Sequence, residues 1–234
     1  MTWDRPRGRA LVGIAAGLAA IGATTALAVT RTGGGGSAPL PLAPLSTLGK
    51  LGAIGTPSGP VGPEGVPIPV GPALAGTRAL APDERIDGIT CQANEQVLFH
   101  LHAHLTIFVR GTPRQVPAGI GIAPPYELAQ TPHGTFVAAA PCFMWLHTHA
   151  ADGIIHTESP IRRTYTLGDF FDIWGQRLDR EHVGPAHGPV TALFNGHVFT
   201  GSPRTIPLLA HANIQLDVGR PLIAPEQISF PRGL

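Results

Sequence analysis

The sequence predicts a mostly β, α+β fold: antiparallel hairpins with one helix, and a second half ordered like a β-grasp. Three observations predict it. Period-two strands recur between residues 98 and 159, the clearest being FHLHAHLTIFV from Phe99. One stretch, TLGDFFDIWGQ, carries a helical stripe instead. From Gly153 onward the order is strand, strand, helix, hairpin, strand, which suits a sheet packed by one face on a single helix. An all-β sandwich or barrel with the helix as a plug is the alternative.

Each element has its own signal. The first strand, Leu98 to Arg110, meets a turn at Gly111-Thr112-Pro113 and returns through RQVPAGIGI. Residues 124–141, rich in Pro and Ala, read as a long excursion. CFMWLHTH (Cys142 to His149) is a second strand, AADG is a turn with Asp152-Gly153 at its end, and IIHTES returns as the partner. A four-residue loop over Ala150 to Gly153 would pair His149 with Ile154 and set His147 opposite His156. RRTYTL after Pro160 reads as a further strand. Thr166 caps the helix, with Asp169 three residues on in place of the usual Glu of a capping box, and Phe170, Phe171, Ile173 and Trp174 form its apolar stripe. Leu178 to Pro189 is a loop, VTALFNGHVFT a hairpin over Asn195-Gly196, and NIQLDVG the last strand.

The 234 residues divide by composition into three parts. Residues 1–30 hold Arg5, Arg7 and Arg9 ahead of an uncharged run from Ala10 to Val29, about the roughly 20 residues that span a bilayer. This predicts a single-pass anchor with a cytoplasmic N-terminus; a signal peptide cleaved near Ala26-Leu27-Ala28, releasing a secreted protein, is the alternative. Residues 31–87, dense in Gly and Pro, predict a disordered linker. Residues 88–234 predict a His-rich β domain. The formal net charge of +1 offers no basic surface for nucleic acid. In an oxidising exterior Cys91 and Cys142 predict a disulfide, the alternative being a Cys–Cys–His metal site.

The chemistry-bearing residues are histidines. His100, His102 and His104 alternate along one strand face; His147, His149 and His156 belong to the next hairpin. Opposed residues on paired strands bring their Cβ atoms about 4.5–5.5 Å apart, close enough for two imidazoles to share one ion at about 2.0 Å. Gathered imidazoles repel when protonated and so present lone pairs, which a divalent ion satisfies. Glu158 shares the face of His156 as a fourth ligand, an orienting partner or a base. The donor types suit copper or zinc. Hydrogen bonding of the same histidines in a polar cleft is the plainer alternative, and a pH-responsive cluster another. His133, His182, His187, His197 and His211 read as surface residues.

At FHLHAHLTIFVRG, PAGIGI, CFMWLHTHAADGIIHTESP and YTLGDFFDIWG the chain resembles a family of exported, membrane-anchored bacterial and archaeal proteins with H-x-H-A-H-L and W-L-H-T-H-x-x-x-G-I-I-H-x-E-S-P motifs. The resemblance brings no established activity. It implies that His100, His102, His104, His147, His149, His156 and Glu158 form one constellation. The expected function is a membrane-tethered, extracytoplasmic domain that binds copper or zinc. Two alternatives stand beside it: a metal-dependent enzyme with Glu158 as base toward a metal-activated water, and a non-catalytic envelope interaction module with structural histidines.

Overall fold

The computed structural model describes residues 39–234; the predicted anchor lies outside them. In chain order they form β1 (Leu42–Ala43), β2 (Arg85–Ile86), β3 (Ile89–Thr90), β4 (Phe99–Val109), β5 (Thr112–Arg114), β6 (Glu127–Thr131), β7 (Gly134–Ala139), β8 (Leu146–His147), β9 (Ile154–Ser159), α1 (Leu167–Trp174), β10 (His182–Val183), β11 (Ala186–His187), β12 (Val190–Phe194), β13 (His197–Phe199) and β14 (Asn213–Val218). The main sheet runs β1-β13-β12-β14-β4-β9-β8, with β5 also paired to β4. β2–β3, β6–β7 and β10–β11 are separate two-stranded ribbons. The sheet is open, and no helix among the described residues is long and apolar enough to cross a membrane.

Within this sheet β9-β4-β14-β12-β13, with α1 connecting β9 to β12 and with β4 and β14 parallel at the centre, has the β-grasp order. The expected order is present with its first strand reassigned. The histidine strand β4 opens the grasp, and RRTYTL forms no strand: Pro160 lacks a ladder donor, and Thr166 is taken up by the helix cap. There the Thr166 side chain accepts from the Asp169 N–H, and the Asp169 carboxylate accepts from the Thr166 N–H.

Alternation gives the sheet two unlike faces. One presents Ala103, Leu105 and Ile107 of β4, Ile155 of β9, and Ile214, Leu216 and Val218 of β14 to the buried side chains of α1. Phe170, Phe171 and Trp174 are fully buried there, each worth about 2–3 kcal/mol by area. The other face is polar: His100, His102 and His104 of β4, His156 and Glu158 of β9, and Asn213, Gln215 and Asp217 of β14.

Two Pro-rich segments cover that polar face. From the C-terminal side, Asn213, Gln215 and Asp217 bond the backbone of Ile223, Glu226 and Ile228. From the N-terminal side come residues inside the predicted linker. Gly55 pairs with the backbone around Glu226, and Val66 packs with Ile154 and Ile228. Residues 39–87 are therefore laid on the domain: Leu74 and Leu80 join the helix-side core, and the Trp174 indole donates to the Gly76 carbonyl. Composition misleads here because the apolar residues that pack (Val66, Leu74, Leu80) are isolated among Gly and Pro and carry no periodicity. The bond between Cys91 and Cys142 is formed, so the Cys–Cys–His site is ruled out.

Candidate metal centre

β4 and β9 pair antiparallel with His100 opposite Glu158 and His102 opposite His156. β8 pairs on the far side of β9, with His147 opposite His156, the register read from the hairpin. The predicted strand through His149 stops at His147, so His149 does not pair with Ile154. His149 is held instead by the 124–141 excursion, which folds as the β6–β7 hairpin: its carbonyl accepts from the Val137 N–H, its Nδ1–H donates to the Val137 carbonyl at 2.6 Å, and Phe136 stacks on its ring at 4.6 Å. Beneath this turn Gly121 has φ +70°, and a Cβ there would stand 2.2 Å from the Leu146 carbonyl, so glycine lets PAGIGI pass directly under the histidine loop.

Two donor sets result. In the first, the His102 Nε2 lies 3.1 Å from the His100 Nε2 and 3.1 Å from the His156 Nδ1. The Glu158 Oε1 closes this set at 3.2 Å from the His100 Nε2 and 3.5 Å from the His156 Nδ1. In the second, the His147 and His149 Nε2 atoms are 3.0 Å apart. The Glu95 Oε1 is 3.2 Å from the His149 Nε2 and 3.9 Å from that of His147. Buried His and Glu groups thus lie within metal-binding distance of one another, and His156 and Glu158 each fall within reach of both sets.

The backing hydrogen bonds settle which nitrogens are free. The His147 Nδ1–H donates to the Met144 carbonyl at 2.8 Å, so in the neutral ring Nε2 is a lone pair, as it is in His149. Two lone pairs facing at 3.0 Å repel; a cation between them converts the repulsion into attraction. On the other side the His156 Nε2–H donates to the Glu64 Oε1 at 2.6 Å, the carboxylate–histidine arrangement that orients metal ligands. The Glu64 side chain is 4% exposed.

Electrostatics follow burial and neighbours. Burial, then the adjacent histidines, hold His102 down to about 3 and push His147 well below its usual value. His156 is opposite: burial pulls it down, but hydrogen bonds to Glu158 and Glu64 outweigh this and raise it to about 9. The contact with the His149 imidazole, which favours the carboxylate whenever that ring is protonated, lowers Glu95. Burial, then the Glu64 charge, hold Asp152 well above the usual carboxylate range.

His104 is not brought to either set. Its Nε2–H donates to the Asp152 carbonyl at 3.0 Å, and burial holds it down to about 4. It lies opposite Ile154, past the last histidine of β9, so it anchors the AADG turn. His133, His187, His197 and His211 are exposed and His182 half-buried, all outside both sets. Glu64 and Glu95 are the site residues that sequence reasoning missed. Glu64 had a signal, as the sole charged residue between Lys50 and Arg78. Glu95 had an indirect one: it follows Cys91 by four residues as His147 follows Cys142 by five, so the disulfide draws the two together.

The donors differ in access. His100 and Glu95 side chains are 41% and 39% exposed, while His102, His147, His149, His156 and Glu158 are buried. A groove of about 330 Å³ between His100, His102, His211 and Leu234 leads to the first set. Comparison with protein-family models, curated proteins and solved structures gives no match to this chain.

Proposed function

We propose that the chain is an extracytoplasmic metal-binding domain, tethered by its N-terminal segment, that captures a divalent ion, zinc or copper, on its histidine face. The observation that carries this is the set formed by His100, His102, His156 and Glu158. Donors around a tetrahedral ion at about 2.0–2.1 Å stand about 3.3–3.4 Å apart, and the four separations above run from 3.1 to 3.5 Å. Imidazole and carboxylate donors suit zinc and copper(II), and with both cysteines bonded no thiolate competes. The disulfide supports an oxidising compartment, in line with the export that residues 1–30 and the family resemblance imply.

The groove beside His100 and His102 gives an enzymatic reading its one support: an ion there would polarise a substrate or water, with Glu158 taking the proton. The placement of the Glu158 Oε1 among the ring nitrogens of His100 and His156 favours a ligand role over that of a free base. Elemental analysis of the purified intact chain tests the metal reading. Stoichiometric zinc or copper is expected, lost in the His102→Ala/His156→Ala double variant, with a melting temperature that falls by several degrees on chelation. No stoichiometric metal, with melting unchanged by chelator, contradicts it.

A further inference from the structure

We infer that the histidine face holds two metal ions rather than one, with the Glu158 carboxylate shared between them. This rests on the metal-binding reading and deepens it. Seven side chains converge: His100, His102, His156 and Glu158 in one set, His147, His149 and Glu95 in the other. They come from three adjacent strands and their flanks. β4 and β8 are both neighbours of β9, so their backbones stand about 10 Å apart at about 4.8 Å per strand step. A zinc or copper ion takes four or five donors, and seven spread across that width exceed one coordination shell.

The bridging role falls to Glu158 by elimination and by one direct sign. His156 is also near both sets, but its Nε2 is committed to Glu64, which leaves only Nδ1, and Nδ1 faces His102. A carboxylate has two oxygens for two ions. The Glu158 Oε1 faces His100 and His156, and one oxygen of Glu158 lies within 4.8 Å of a His147 ring nitrogen and a Glu95 oxygen. The side chain is 6% exposed, yet its Oε2 has no hydrogen-bond partner. A buried carboxylate oxygen without a donor is costly, a cost that a second cation would remove. Each ion has its own solvent-facing ligand, His100 for one and Glu95 for the other, so each can load separately.

The test is copper(II) titration of the intact chain followed by electron paramagnetic resonance. Two coppers per chain are expected, with a spin–spin coupled spectrum, since paired ions in protein sites stand about 3.5–4 Å apart. His149→Ala should retain one copper with an uncoupled, full-intensity signal. Should that variant fold poorly by near-ultraviolet dichroism, Glu95→Gln at the exposed rim takes its place, weakening one copper about tenfold or more and sparing the other. One copper per chain in the unaltered protein overturns this inference and leaves the single-ion reading standing. No bound copper or zinc overturns both, and two coppers without coupling overturn the shared carboxylate.

Discussion

At the scale of single residues, His156 decides how the centre answers to pH. It is raised to about 9 by Glu158 and Glu64 against the pull of burial, while His102 at about 3 and His147, lower than usual, are neutral at pH 7. The proton of His156 would therefore compete with a metal ion at its Nδ1. Metal affinity should rise about tenfold per pH unit from pH 7 to about 9 and then level, with close to one proton released on loading, measurable by calorimetry in buffers of different ionisation enthalpy. The metal-free fold should behave in the opposite sense. A raised imidazole contributes stability that is complete below its unfolded value of about 6.5 and lost as pH climbs through 9, on the order of 3 kcal/mol here. Glu64→Gln should abolish much of both trends and weaken metal binding 10–100-fold, as loss of an orienting partner does. A metal affinity flat between pH 7 and 9 would contradict this role for His156.

At the scale of elements, what the sequence made legible followed periodicity and turn chemistry. The β4 alternation, the His147–His156 register, the capping box of α1 and the Asn195-Gly196 hairpin rest on local patterns that long-range packing did not override. Period two extends the strand through His149 because the clamp that holds that residue instead, the β6–β7 hairpin, is written in Ala, Pro and Thr with little alternation. His104 was grouped with its neighbours because period two assigns a face but not a distance along it: β9 ends its pairing at Ile154, and a carbonyl meets the third imidazole there. The disulfide links these elements, joining the segment before β4 to the segment before β8 across a separation of 51 residues. Closing a loop of that length stabilises by about 4 kcal/mol in the chain-entropy account. The Cys91→Ala/Cys142→Ala variant should lose roughly that much in denaturant unfolding. It should also lose affinity at the Glu95–His147–His149 set before the His100–His102 set, since Glu95 hangs from the Cys91 segment.

At the scale of the whole molecule, a β-grasp sheet with a helix on one face has been given a second, polar layer on the other. Residues 55–70 and 223–234 supply little regular structure of their own. They bring Glu64 to His156 and pack Val66 and Ile228 against Ile154 of β9. That layer was illegible in the sequence because Gly- and Pro-rich chain reads as linker whether or not a surface exists to receive it. Burial keeps His102 and His147 neutral, Glu64 backs His156 from this layer, and the buried Glu158 Oε2 has no hydrogen-bond partner. A bound metal would account for all of these together, which a polar network complete in itself would not. X-ray absorption at the zinc edge of the zinc-loaded intact chain tests that claim most directly. A first shell of about four nitrogen and oxygen donors near 2.0 Å, with imidazole scattering and no sulfur, is the predicted result. A six-coordinate aqua-like shell, or zinc that washes out on dialysis, would contradict it.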